Sequence, residues 1–219
     1  MPSYEILKSA DWRTSDVENV ARLHAELLPH SPVVQLGRLF MERCYYRALP
    51  RSGLMSGAIA YVDGQPAGFM AWTMHSAGFM GLAVRRHPLL VTGTLVASVL
   101  ARPSRLKAIW EGLTINEDPS SIDTRRNAAE LLSFGVLAPY RSRRFVSETG
   151  IRISRDLLEV ATADLASRGA RSVRAVVDED NLEARLFYLG SGWQPGGPVA
   201  GWSKPVVEFL LDFGSEEPR

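Results

Sequence analysis

The sequence predicts an α/β protein, an α+β mixed sheet with helices on its faces, and three observations carry that prediction. The first is a hairpin signal, Asp63-Gly64, joining two alternating apolar runs in "SGAIAYVDGQPAGFMAW". The second is "NAAELLSFGVLAPYR", a near-continuous apolar run of the kind buried on both faces of a sheet. The third is the amphipathic stretch "TGIRISRDLLEVATADLASRGA" between that run and "RSVRAVVDE", which together make a strand–helix–strand crossover.

In chain order, "YEILKSA" reads as a first strand and "TSDVENVARLHAELL" as a helix capped by Thr14 or Ser15. Val17, Val20, Ala21, His24, Leu27 and Leu28 share one face of that helix, and Pro29 ends it. "VVQLGRLFMERCYYRAL" reads as a second helix closed by Pro50. After the hairpin, residues 75–126 become helical and irregular, punctuated by Pro88, Pro103 and Pro119. In the crossover helix Ile153, Leu157, Ala161 and Leu165 lie four apart, and Gly169 stops it. "NLEARLFYLGSGW" gives a short helix, "GWQPGG" a turn and "KPVVEFLLDF" a last strand.

Composition bounds the function. With 219 residues, the chain suits one domain over 1–213 with a helical insert and a disordered tail over 214–219. A net charge of +1 argues against a nucleic-acid partner. The lone Cys44 excludes an internal disulfide and any CxxC site, and four scattered histidines give no metal-ligating pair, so no metal is expected. The first residues hold no apolar signal core, which predicts a cytoplasmic protein. "HPLLVTGTLVASVLA" falls short of the roughly 20 residues a bilayer crossing needs.

The junction between the strand ending at Leu137 and the helix beginning near Gly150 is the natural ligand site. A helix N-terminus offers unpaired N–H groups and a positive dipole end to phosphate, and Arg141, Arg143 and Arg144 precede this one. A solvated basic loop is the competing reading.

From Leu131 to Trp193 the chain resembles the GCN5-related N-acetyltransferases. "LLSFGVLAPYR" resembles the family's fourth strand and following turn, and "TGIRISRDLLEVA" its pyrophosphate loop and helix. "NLEARLFYLGSGW" repeats its Asn, Ala, Phe-Tyr and Gly-aromatic spacing. The loop departs from the family pattern: Thr149, Arg152 and Ser154 fall where Arg/Gln, Gly and Gly/Ala are usual, Gly150 matches a frequent second glycine, and about seven residues including "RRFVSE" are inserted. A second register puts Arg141 to Val146 on the loop; the first keeps Leu157-Leu158 and the distance to Gly169.

The resemblance implies a fold with a helical insert between the third and fourth strands, acetyl-CoA as cosubstrate, and acyl transfer to a primary amine of a small molecule or sugar. It implies cofactor contacts from Leu137, Arg144, Gly150, Ile151, Arg152, Ile153, Ser154, Asn181 and Phe187. Asn181 serves either as helix cap or as a pantetheine contact. Tyr188 becomes the general acid to the departing thiolate, against a reading as a core aromatic. Backbone N–H groups near Phe134 to Val136 become oxyanion donors, with Gly135 permitting a bulge. Glu130 is the first candidate base, against a reading as a solvated strand end, and Asp178 a weaker one; His24 and Ser31 fall where an acceptor binds, against a reading of His24 as a satisfied core residue.

The insert carries Arg85, Arg86, Arg102, Arg105 and Lys107 and no acidic residue from Gly78 to Trp110. That composition suits a helical pair packed on the domain, a membrane surface, a lid over a lipid-linked substrate, or a homodimer face. Two function classes stay open: an N-acyltransferase, and a catalytically inactive CoA-binding or regulatory module. A dinucleotide oxidoreductase is disfavoured, because no GxGxxG follows the first strand.

Overall fold

The computed structural model describes residues 1–76, 78–103, 129–199, 202 and 204–214. Arg105 and Lys107 of the insert and the tail 215–219 lie outside the described residues.

The chain opens with β1 (Tyr4–Lys8) and α1 (Thr14–Leu27). The cap of α1 is Arg13 rather than Thr14 or Ser15, because the Asp16 carboxylate reaches back to accept from the Arg13 N–H at 2.7 Å. Asp16 also accepts from the Tyr61 hydroxyl at 2.6 Å, so one buried carboxylate both starts the helix and ties it to the sheet.

The expected second helix is broken into pieces. Gly37, at φ 95°, separates α2 (Pro32–Gln35) from α3 (Arg38–Phe40), which runs into a π-helix (Met41–Ala48) and α4 (Leu49–Arg51). The wider π turn turns Cys44, Tyr45 and Tyr46 inward together, which a narrower α stripe would not do. Pro50 does not end the helix; it sits within α4, where the π ladder has already given way.

The hairpin of β2 (Ser56–Val62) and β3 (Gln65–Thr73) turns at Asp63 and Gly64, both at positive φ as a two-residue turn of this type requires. The described part of the insert is helical, as α5 (Phe79–Arg86) and α6 (Pro88–Ala101). Then come β4 (Ala129–Val136), α7 (Ala138–Arg141), α8 (Arg143–Thr149), α9 (Ile153–Ser167), β5 (Ser172–Asp178), α10 (Leu182–Gly190), β6 (Gln194–Pro198) and β7 (Val206–Asp212). The "QPGG" segment expected as a turn is thus a strand. It lies at the sheet edge, where proline is tolerated because no neighbour needs its missing N–H.

The seven strands run β1-β2-β3-β4-β5-β7-β6, antiparallel throughout except for β4 beside β5. One core, with Trp72, Leu157, Leu165 and Phe209, lies between the sheet and α9 and α10. The other, with Phe40, Tyr46, Ile59 and Phe69, lies under α1, the π-helix, α5 and α6. Two charged hydrogen bonds pin α9 to the sheet: Tyr4 donates to Asp156 at 2.8 Å and the Trp72 indole to Asp164 at 2.7 Å.

Candidate functional site

β4 and β5 pair only where Ala129–Leu131 meets Val173–Ala175. Beyond that point β4 runs on to Val136 and β5 to Asp178 with no ladder between them, so the sheet opens in a V. A bulge precedes the opening: the β3–β4 register shifts between Ala71 and Trp72 and leaves Leu132 as the extra residue. The bulge expected at Gly135 is therefore three residues earlier. Gly135 is glycine for another reason, since a Cβ there would lie 2.8 Å from a methyl of Leu27 on α1. The Leu137 N–H donates to Ala67 O on β3 at 2.9 Å. Alternation along the strand then turns the N–H groups of Phe134 and Val136 into the opening.

On the α9–α10 face a cleft of about 560 Å³ adjoins this V, lined by Tyr140, Arg152, Ser154, Leu158, Phe187 and Trp193 among others. Phe187 links the two, packing on Phe134 of β4 with ring centroids 5.4 Å apart. The N–H groups of Arg152, Ile153 and Ser154, at the start of α9, have no partner among the described residues. Arg152 and Arg155 stand beside them, and an Arg141–Glu183 ion pair ties α7 to α10. The arrangement is a positively charged helix start over an apolar trough, suited to a phosphate joined to an extended apolar arm.

Of the expected cofactor residues, Arg152, Ile153, Ser154 and Phe187 line this cleft. Others are elsewhere, and each has a local reason. Gly150 does not start α9; at φ 75° it ends α8, its N–H given to Val146 O. The inserted "RRFVSE" is this extra helix, capped by Ser142, whose Oγ accepts from Phe145 N–H. The Ile151 N–H goes to Thr149 Oγ1, and exposed Arg144 pairs with Glu148 within α8. Leu137 gives its N–H to Ala67 O and accepts from Tyr140 N–H. Asn181 caps α10, accepting from Ala184 N–H at 3.1 Å. Sequence reasoning missed Trp193: its buried indole N–H, in the cleft wall, has no partner among the described residues. The signal was present as the aromatic after Gly192.

Tyr188 is buried, its ring stacked on Phe209 and packed on Trp193 at 4.9 Å, and it does not line the cleft. Burial raises its pKa far above the usual phenol value, so it stays protonated at every ordinary pH. Glu130 accepts two hydrogen bonds from Arg174, at 2.6 and 3.0 Å. Its pKa is raised, chiefly by burial and also by the nearby Glu208, although Arg174 pulls it down. The Cys44 thiol is pushed up to about 11 by burial, which makes it inert.

His24 and Ser31 meet each other, away from the cleft at the start of α9. His24 is fully buried, with Nδ1 2.6 Å from the Tyr46 hydroxyl and Nε2 3.1 Å from Ser31 Oγ, so both nitrogens and Ser31 are already engaged. Burial lowers its pKa to about 4. The folded state therefore stays neutral while the unfolded chain takes up a proton below about 6.5. This stabilisation is complete above pH 6.5 and is lost as pH falls towards 4, at about 1.4 kcal/mol per pH unit. Urea unfolding of the wild type should show this loss between pH 6.5 and 4.5. A His24→Gln variant should lack that part of the slope; an unchanged slope would refute the assignment.

No protein-family model matches the sequence, and no curated protein matches it significantly. Solved structures do match in shape. An N-acetyltransferase from Staphylococcus aureus Mu50 superposes with a TM-score of 0.58 at 11% identity, covering 96% of this chain and 98% of that one. Arabidopsis thaliana NAA60, solved with acetyl-CoA, gives 0.56 at 13% identity, covering 96% and 99%. The putative acetyltransferase yncA from Salmonella typhimurium, also with acetyl-CoA, gives 0.57 at 12% identity, covering 98% and 96%. The fold is thus the one solved for these acetyltransferases, among them a protein of the GNAT family.

Proposed function

We propose that the protein is an acyl-CoA-dependent N-acyltransferase, with acetyl-CoA as cosubstrate and a primary amine of a small molecule or sugar as acceptor. The observation that supports it most is the V between β4 and β5 leading into the cleft at the start of α9. Pyrophosphate would sit on the free amides of Arg152, Ile153 and Ser154, and the pantetheine arm would run past Phe187 towards the V. The thioester oxygen would take hydrogen bonds from Phe134 and Val136 N–H as it becomes negative. The amine nitrogen attacks the carbonyl carbon, its proton passes to Glu130, which must loosen from Arg174 to take it, and the C–S bond breaks. Tyr188 protonates the departing thiolate.

The second reading is a CoA-binding module without turnover, which the burial of Tyr188 favours. Thiol release from acetyl-CoA, with amines supplied, separates the two.

Ser154→Glu tests the binding step. Ser154 is in the first turn of α9, where an acidic side chain suits the helix dipole, so the fold should keep its stability while phosphate is repelled. Calorimetric titration should show saturable acetyl-CoA binding by the wild type and at least a tenfold loss in the variant. Absence of wild-type binding to acetyl-CoA and to longer acyl-CoAs would sink the proposal.

A further inference from the structure

We propose that the hollow between the π-helix and the α5–α6 junction is a second binding site, for a phosphate-bearing anion. It encloses about 340 Å³ and is lined by Arg43, Arg47, Arg51, Ser52, His87 and Leu90. The helices that form it pack on the sheet face opposite α9 and α10, so it is separate from the acyl-CoA cleft and does not depend on that reading.

The three arginines recur every four residues and face the same hollow. Like charges at that spacing repel one another. Elsewhere the protein answers such charges in place: Arg38 with Glu42, Arg144 with Glu148, Arg155 with Glu159 and Arg168 with Asp164. Arg43, Arg47 and Arg51 have no ion-pair or hydrogen-bond partner among the described residues. Ala48, between them, contributes only a methyl group to the wall and leaves the space open.

The opposite wall makes the same demand independently. His87 Nε2 is buried with no hydrogen-bond partner among the described residues. A buried polar atom left without a partner is costly, and a turn of the ring that brings a protonated Nε2 to the hollow would let it donate to a ligand oxygen there. His87 is also the residue from which the fourteen-residue helix α6 starts, so the positive end of that helix is at the same place. Arg85 and Arg86, exposed in the last turn of α5, add to the field.

Planar guanidiniums bind tetrahedral phosphate oxygens two at a time, and a site with this many donors suits a phosphate monoester or pyrophosphate better than a single carboxylate. That group arrives either on a soluble molecule or on a lipid headgroup. The second source is suggested by Leu89, Val96 and Leu100, exposed along α6.

The test is calorimetric titration of pyrophosphate at constant ionic strength into the full chain, using the wild type, Ser154→Glu, and Arg47→Gln/Arg51→Gln. A parallel arm measures sedimentation with phosphatidylcholine vesicles with and without phosphatidic acid. One-to-one binding that survives Ser154→Glu and weakens at least tenfold in the double arginine variant is the expected result. The double variant should also melt no lower than the wild type in phosphate-free buffer, because removing mutual repulsion costs the fold nothing; a merely structural role would lower its melting temperature. Arginine-dependent binding to phosphatidic acid vesicles alone would support the site with a lipid source. Pyrophosphate binding lost in Ser154→Glu and unchanged in the arginine variant would overturn it. So would no binding in either arm.

Discussion

Arg174→Ala is expected to destabilise the protein by about 3–5 kcal/mol, the usual effect of removing one member of a buried ion pair. Arg174 lies between two carboxylates near the middle of the sheet: it donates twice to Glu130, and its Nη1 is 3.8 Å from Glu208. The side chains of Arg174, Glu130 and Glu208 are 13%, 12% and 2% exposed, so water cannot replace the guanidinium. Its loss leaves the buried Glu130 carboxyl without its donor and with Glu208 nearby. The pKa of Glu130, already raised by burial, must rise further. A carboxylate whose folded pKa exceeds its unfolded value weakens the fold at high pH and ceases to do so once protonated. The difference between wild type and variant should therefore shrink as pH falls from 7.5 to 5. Urea unfolding at both pH values checks this; a difference below about 1 kcal/mol at pH 7.5 would mean the cluster is not sealed from water.

Tyr188→Phe is expected to lower acetyl transfer by about 10²- to 10⁴-fold if the hydroxyl is the acid, because the thiolate must then leave unprotonated. The ring's contacts with Trp193 and Phe209 survive the change, and no hydrogen bond to the hydroxyl is lost among the described residues, so the melting temperature should barely move. Acetyl-CoA affinity should be unchanged as well, which puts the effect in kcat rather than in KM. A variant as fast as the wild type would leave Tyr188 as a core aromatic and favour another acid or the non-catalytic reading.

The readable parts of the sequence were those set by local chemistry. The Asp63-Gly64 turn, the buried run of β4, the crossover helix and the Asn181 cap all follow from neighbours within a few residues. The sequence also pointed to Arg152, Ile153, Ser154 and Phe187, which share a cleft. What it hid depends on distant partners or on uncommon backbone. β6 reads as a turn because edge pairing with β7 is what makes Pro195 a strand residue. The π-helix mimics an α pattern until its three consecutive inward side chains are counted. The Leu132 bulge exists only relative to β3, and the saturation of His24 needs Tyr46 and Ser31 from two other segments. The extra helix α8 was legible in principle, bracketed by Ser142 and Gly150, but it displaced the start of α9 and took Gly150 out of the site.

The two hydrogen bonds that hold α9 to the sheet join residues 152 and 92 positions apart. During synthesis β1 and β3 leave the ribosome long before their partner helix exists, so the apolar face around Trp72 waits uncovered. Closing loops of that length is slow, because chain entropy is spent before any contact repays it. The first half of the chain thus lacks one of its covering layers until the crossover is made, and the cleft at the start of α9 cannot form before that helix has docked on the sheet.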